Sequence, residues 1–390
     1  MVVAVAVLGP AYLYIGVRII TSSELPSTVA NLAWVVLLTH LVLLPFSLMS
    51  SRVVTVPSRA LDRVHWVAYT GMGFLALVLP MLWVRDLAGL AWTLAMDAVA
   101  HARVIGGAAS VHVDADLAWM RAANLGVVLL ALVLTGRGFG VARRTASVRN
   151  VRVPIDGLPD AFDGYRIVQI SDVHVGPTIR VEYVRGIVDA ANALGADLVA
   201  LTGDLVDGSV RKLGPHVAPF GGLRSRDGVF FVTGNHEYYS GPAAWVRELA
   251  RLGVTPLVNQ HRVIERGGAK LLVAGVTDAL AGRAVPGHRS DPDAAVAGAP
   301  QCDVRLMLAH QPSSSEAAAR LGFHLQLSGH THGGQFFPWH LVVRLVTPYL
   351  AGLFRVGTMW LYVSRGTGYW GPPLRLGAPS EITLLELTRA

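Results

Sequence analysis

The stretch from Leu327 to Gln335 reads Leu-Ser-Gly-His-Thr-His-Gly-Gly-Gln, and it decides how the second half of the chain is interpreted. An apolar strand pattern runs into a glycine-rich turn that carries His330 and His332. Two imidazoles one residue apart on a flexible turn can reach two neighbouring metal ions. Alone the pair is weak evidence, because a histidine at a strand end is more often a surface residue.

Further sites upstream share this pattern of a short apolar strand that ends at a side chain able to bind a metal. In order they are Ile170-Ser-Asp172-Val-His174, Leu201-Thr-Gly-Asp204, Val232-Thr-Gly-Asn235-His236-Glu237 and Leu308-Ala-His310. Singly, such aspartates and asparagines are better explained as turn or helix-capping residues. Together they favour a metal site, because carboxylate, imidazole and amide groups are suitable ligands for divalent cations.

The chain from about residue 147 onward alternates short strand patterns with helical patterns. This mixture predicts an α/β domain of layered sheets and flanking helices. Ligands of such domains collect outside the ends of the strands, which is where the polar sites fall.

The first 136 residues are much more apolar. The whole chain is 52% hydrophobic and 15% charged, with a mean hydropathy of +0.46, which is too apolar for an ordinary soluble enzyme. Spans long enough to cross a bilayer are predicted at residues 2–20, 28–49, 64–84 and 117–136. Residues 87–116 carry Asp97, His101 and Arg103, so we expect them to form an interfacial or bundle-facing helix rather than a fifth span.

The positions of the arginines predict which side of the membrane each loop faces. They cluster after the second predicted span and after the last, and both clusters should face the cytoplasm by the positive-inside rule. The chain is therefore expected to have about four spans in residues 1–136, a basic linker at 137–147 and a cytoplasmic C-terminal domain at 148–390. The net charge of +7 forms no patch typical of a nucleic-acid surface, so no nucleic-acid partner is expected. The single cysteine, Cys302, excludes an intrachain disulfide.

The polar sites, in this order, resemble the motifs of the calcineurin-like metallophosphoesterases. The Gly-Gly-Gln after the last histidines and Tyr362-Val-Ser-Arg-Gly-Thr-Gly368 look like the membrane-associated branch, which includes phosphodiesterases and enzymes similar to UDP-2,3-diacylglucosamine hydrolases. The expected fold is thus an N-terminal α-helical membrane bundle followed by an α/β four-layer metallophosphoesterase sandwich.

The resemblance also implies roles for individual residues. Asp172, His174 and His332 would hold one metal ion. Asn235, His310 and His330 would hold a second, and Asp204 would bridge both. His236 would stabilise the transition state and protonate the leaving oxygen. Two divalent ions are expected, and manganese, iron, zinc and magnesium all fit these donors.

Neighbouring residues receive simpler interpretations. Glu237 is expected to orient its neighbours or pair with an arginine, Asp207 to be a loop residue, and His340 to be a surface or packing residue. The apolar segment 336–359 has two possible roles. It either covers the core or forms an amphipathic flap on the bilayer beside the metal site.

The predicted function is a membrane-anchored dinuclear phosphoesterase that hydrolyses a phosphodiester or pyrophosphate bond. Its expected partners are the membrane and a phosphorylated small molecule or lipid, with a lipid or lipid precursor favoured. Two alternatives stay open: a phosphodiesterase for soluble nucleotides whose spans serve only as an anchor, and a catalytically silent membrane-bound sensor.

Overall fold

The computed structural model describes residues 2–53, 58–105 and 117–390. Contacts within the chain divide it into two units. One comprises Met1–Met49 and Val67–Arg137, and the other comprises Ser50–Trp66 and Gly138–Ala390.

Long apolar helices supply most of the first unit. They are α1 (Val2–Gly16), which a π-helical turn at Val17–Thr21 extends, α2 (Ser27–Val53), α3 (Arg59–Ile105) and α4 (Leu117–Ala142). The end of α2, the start of α3 and the end of α4 belong to the second unit. Within the described residues, these four helices are long and apolar enough to cross a membrane. Apolar side chains also cover their outer surfaces, and Val3 and Trp119 are more than 70% exposed. Helices that are apolar on all faces belong in lipid or in a large core.

Helix α3 differs from the prediction. Residues 87–105 continue the third span without a break instead of forming a separate helix, and residues 106–116 lie outside the described part. The reason is local, because Leu87, Ala88, Leu90 and Ala91 are strong helix formers and this stretch contains no proline. At 47 residues the helix is about 70 Å long, roughly twice the thickness of a bilayer's hydrocarbon core.

Two mixed sheets form the second unit. In spatial order, the first contains β1 (Ser147–Ile155), β12 (Glu381–Arg389), β2 (Arg166–Ile170), β3 (Leu198–Leu201), β4 (Val229–Phe231) and β5 (Thr255–Pro256). The second contains β10 (Gly352–Val356), β11 (Met359–Val363), β9 (Leu325–Ser328), β8 (Val304–Leu308), β7 (Ala269–Gly275) and β6 (Gln260–Arg266). Strands β2 to β5 run parallel to one another, as do β7, β8, β9 and β11.

Helices flank the two sheets. They are α5 (Val181–Asn192), α6 (Val210–Val217), α7 (Asn235–Ser240), α8 (Pro242–Arg251), α9 (Ala281–Ala284), α10 (Pro292–Val296), α11 (Ser315–Arg320) and α12 (Trp339–Val346). Single 3-10 turns lie at Asp160–Phe162, Ala218–Gly222, Pro312–Ser314 and His332–Gly334.

Successive side chains along each strand point to opposite faces of its sheet, so both faces of both sheets are packed and the domain has four layers. Ile167 and Leu198 of the first sheet pack against Leu306 and Leu327 of the second in a central core. The opposite face of the first sheet packs against α5 and α8, and the opposite face of the second packs against α10 and α11. The predicted fold class is therefore confirmed.

Candidate metal centre

The predicted ligands lie just beyond the carboxyl ends of neighbouring parallel strands. Asp172 and His174 follow β2, Asp204 follows β3, and Asn235 begins α7 after β4. His310 follows β8, and His330 and His332 follow β9. The first sheet therefore contributes four of the seven predicted ligands and the second contributes three, at the same edge of the sandwich.

The structure brings these side chains into two adjoining clusters. Asp172, His174 and His332 form one, and the Nε2 atoms of the two histidines are 3.0 Å apart. Asp204, His310 and His330 form the other, with Asp204 Oδ2 3.1 Å from His310 Nε2.

Asp204 lies between the two clusters. Its Oδ2 atom is also 3.9 Å from His174 Nε2 in the first cluster, and 4.0 Å from His236 Nε2. The position of this single carboxylate is therefore consistent with a group shared by two ions, with His236 beside it.

The ligand loops adopt a backbone conformation that non-glycine residues seldom take. Positive φ angles of 52° to 73° occur at Asp172, His174, Asp204, His330 and His332. Each such residue costs roughly 1–3 kcal/mol and persists only where the surroundings hold it, a pattern that clusters at functional sites.

Close backbone packing explains the glycines before two ligands. A Cβ atom on Gly203 would lie 2.6 Å from the backbone nitrogen of Gly234 and 2.8 Å from His310 Nδ1. A Cβ atom on Gly329 would lie 2.1 Å from Asp172 Oδ2. These Gly-Asp and Gly-His pairs therefore allow strand ends from the two sheets to approach each other.

Asp207 contributes a carboxylate to the site, which the sequence did not predict. Its Oδ1 atom accepts hydrogen bonds from His174 Nδ1 at 3.2 Å and from His236 Nδ1 at 2.5 Å. The Nε2 atoms of both rings then face the ligand clusters. A carboxylate behind a histidine fixes its tautomer and its orientation.

The charge around His236 favours its protonated form. Burial would lower the pKa of this imidazole, but the carboxylates of Asp204 and Asp207 outweigh burial and raise it to about 9. The rings of Tyr239 and Trp370 contact His236 edge-on, at centroid distances of 5.3 and 5.7 Å, and both side chains are partly exposed. His236 therefore lies on the accessible side of the site.

Glu237 has the orienting role that the sequence predicts. Its carboxylate accepts hydrogen bonds from the backbone nitrogens of Asp204, Leu205 and Gly234 at 2.6 to 2.9 Å. It thereby ties the loop after β3 to the loop after β4.

Arg375 supports the turn that carries His332. Its buried guanidinium donates to the carbonyl oxygen of His332 at 3.0 Å and to that of Arg365 at 2.8 Å. Gln335 fixes the adjacent loop through hydrogen bonds with Trp370, which explains the Gly-Gly-Gln motif.

The donor set fits metal ions. The buried atoms Asp172 Oδ2 and Asn235 Oδ1 have no hydrogen-bond partner among the described residues. Buried polar atoms are nearly always paired, and an unpaired buried carboxylate oxygen is costly. A divalent cation would satisfy these oxygens and the converging imidazole nitrogens.

Comparisons with known proteins agree with this geometry. A family model described as calcineurin-like phosphoesterase matches residues 165–334. A protein of Bos taurus named transmembrane protein with metallophosphoesterase domain is 38% identical over 335 residues, which cover 83% of this chain and 74% of that protein. The Danio rerio protein of the same name is 37% identical over 67% of this chain and 62% of its own length.

Bacterial proteins match as well. An uncharacterized metallophosphoesterase of Helicobacter pylori strain J99 is 37% identical over 68% of this chain and 70% of its own length. Among solved structures, the calcineurin-like phosphoesterase YfkN of Bacillus subtilis covers 52% of this chain and 82% of its own, at 13% identity and a TM-score of 0.34.

The fold and the site define a metallophosphoesterase with a buried site of histidines and aspartates. The chain belongs to the calcineurin-like phosphoesterases, and it is a membrane protein with N-terminal spans similar to the transmembrane members of that family.

Proposed function

We propose that the chain hydrolyses a phosphodiester or pyrophosphate bond, with two divalent cations held by the seven predicted ligands. The observation that carries this proposal is the convergence of both histidine–aspartate clusters on Asp204, together with the unpaired buried oxygens of Asp172 and Asn235. When bound, two such cations act as Lewis acids on the phosphoryl oxygens and lower the pKa of water.

The residues of this chain would complete the reaction. The carboxylate of Asp204 accepts a hydrogen bond from the backbone nitrogen of His236 at 2.8 Å and lies 3.1 Å from His310 Nε2. It thereby positions the two clusters relative to each other. Protonated His236 donates its Nε2 proton to the departing oxygen, while Asp207 holds the ring through Nδ1. A catalytically silent sensor would not require this positioned acid beside a full ligand set.

The favoured substrate is a lipid or lipid precursor. Two features support this choice: the apolar helices of the same chain, and the exposed apolar surface of α12, which follows the ligand turn. A soluble nucleotide would need neither feature.

The catalytic domain is proposed to face the cytoplasm. Asp62, near the start of α3, forms an ion pair at 2.6 Å with Arg180, and both residues belong to the second unit. Arg143, just after α4, stacks over Trp66 at 5.3 Å. These contacts support an even number of crossings between residues 66 and 138, and the flanking arginines favour the cytoplasmic side. A reporter fused after Ala390 that is active only outside the cytoplasm would overturn this orientation.

The reaction is tested with bis(p-nitrophenyl) phosphate and the detergent-solubilised protein supplied with manganese. We expect hydrolysis by the wild type and background activity in Asp204→Ala. For His236→Ala we expect a loss of about 10²–10³-fold. Wild-type protein with bound metal and no hydrolysis of this diester, or of lipid pyrophosphates, would contradict the proposal.

A further inference from the structure

Helix α12 presents a largely apolar surface to its surroundings. Leu341, Val342, Leu345 and Val346 are 50–86% exposed, and no residue of this fully described helix is buried. His340, which is partly buried, and Arg344, which is exposed, lie one helical turn apart and line a cavity beside the helix. In water this arrangement exposes apolar surface, whereas against a bilayer it buries that surface.

A cavity of about 760 Å³ lies behind the helix. Its apolar wall includes Phe336, Leu350 and Phe354, and its polar wall includes His340, Arg344 and Arg365. Small-molecule sites commonly have this volume and this mixture of surfaces. The described lining residues include no aspartate or glutamate, so the cavity is suited to an anion.

The cavity is continuous with the metal-ligand turn. Gly333, which follows His332, lines it directly. The hydroxyl of Thr331, between the two ligand histidines, donates to the carbonyl of Leu350 at 2.5 Å. A Cβ atom on Gly334 would lie 2.2 Å from His340 Cα, so the base of α12 packs tightly on the same turn.

The two arginines differ in how their charges are compensated. Arg365 is paired with Glu381 at 3.2 Å. Arg344 forms no ion pair with any described residue, so its charge is available to a ligand in the cavity.

We propose that this cavity binds the phosphate-bearing head of an anionic membrane lipid, with Arg344 contacting the phosphate and the outer face of α12 lying in the bilayer. For the reaction this inference rests on the proposed function, which it deepens by naming the substrate class. The binding itself does not require turnover.

The test measures equilibrium binding to the full-length protein in nonionic detergent. The probes are dioctanoyl phosphatidylglycerol, dioctanoyl phosphatidylcholine and inorganic phosphate. We expect the anionic lipid to bind most tightly, since phosphate alone lacks contact with the apolar wall and choline places a cation beside the arginines. Arg344→Ala should weaken binding of the anionic lipid about tenfold, as expected for the loss of one charge-assisted contact.

Arg320→Ala is the matched control, because Arg320 is an exposed arginine at the end of α11, outside the cavity. It should leave lipid binding unchanged. A second variant, Ala351→Trp, fills the cavity from its wall and should abolish lipid binding at an unchanged melting temperature. Arg320→Ala should also hydrolyse bis(p-nitrophenyl) phosphate within about twofold of wild type, because Arg320 lies outside the cavity.

Equal binding of the anionic lipid to the wild type and Arg344→Ala would overturn the inference. Binding of inorganic phosphate as tight as that of the lipid would also overturn it, and would indicate a site for free phosphate. Absence of diester hydrolysis in all proteins would count against the proposed function while the binding comparison still decides the role of the cavity.

Discussion

The metal-ligand loops and helix α12 differ in how their side chains are packed, although the last of these loops ends only a few residues before the helix. Asp172 and His310 are at most 1% exposed, and glycines pack the loops so tightly that a Cβ atom would collide with a neighbour. Leu345 of α12 is 86% exposed and apolar.

The difference reflects what each region does. The ligand loops keep a strained backbone because a metal site needs its ligand atoms held within fractions of an ångström. Helix α12 has an apolar outer surface that stabilises nothing within its own unit, so that surface is better explained by the environment than by the fold. Substitutions in the loops should therefore destroy activity, and substitutions on the outer face of α12 should change only access of the substrate.

The largest effect is expected from Gly203→Ala. The new methyl group would press on the backbone of Gly234 and on His310, shifting ligands of both sheets. Misplacement on this scale can cost about a hundredfold in rate, so we expect at least that loss, with reduced bound metal measured by elemental analysis.

Gly253→Ala provides the matched control. Gly253 has a φ of +87°, against +86° for Gly203, but its Cβ position is open. This variant should lose about 1 kcal/mol of stability from the left-handed backbone alone and keep its activity. If both variants lost activity equally, the backbone conformation rather than the close packing would be responsible.

The sequence identifies the strand ends at which the candidate ligands lie. Each ligand follows an apolar strand, and a parallel arrangement of strands places such residues at a common edge. The α/β class of the second unit and the four apolar spans follow from hydrophobic periodicity and length, whereas the four-layer arrangement is implied by the resemblance to the metallophosphoesterases.

Other features depend on three-dimensional contacts that no local pattern encodes. Asp207 looks like an ordinary loop residue until the fold places it behind His174 and His236; its spacing of three residues from Asp204 was the available signal. The apolar segment 336–359 fits either a core-covering helix or an outer flap, because the sequence does not say which face of α12 has a partner. The unbroken course of α3 departs from the prediction because the helix propensity of residues 87–105 outweighs the charged side chains in this stretch.

An intermediate effect is expected from Asp207→Asn. The amide keeps the size of the side chain but removes the charge that orients the two imidazoles. Loss of such a supporting carboxylate typically costs 10- to 100-fold in activity or metal affinity. We expect a fall of that size in kcat with both metal equivalents still bound, measured by steady-state kinetics and elemental analysis on the same samples.

Asp160→Asn serves as the control, because Asp160 is an exposed aspartate whose ion-pair partner is Arg389 and not a candidate ligand. It should leave kcat unchanged. An unchanged kcat in Asp207→Asn would contradict the supporting role of this carboxylate.

The smallest effect is expected from Leu345→Gln on the outer face of α12. The side chain is almost fully exposed, so the free energy of unfolding should change by no more than about 0.5 kcal/mol. Removing part of an apolar contact with lipid should raise KM for a lipid substrate in vesicles about threefold to fivefold. Hydrolysis of bis(p-nitrophenyl) phosphate should not change, since that diester reaches the site from water.

Val148→Gln, which alters an exposed valine on the edge strand β1, should affect neither substrate. If Leu345→Gln left lipid turnover in vesicles unchanged, the outer face of α12 would not contact the lipid substrate's membrane. The ligand loops and α12 would then differ only in how exposed their side chains are.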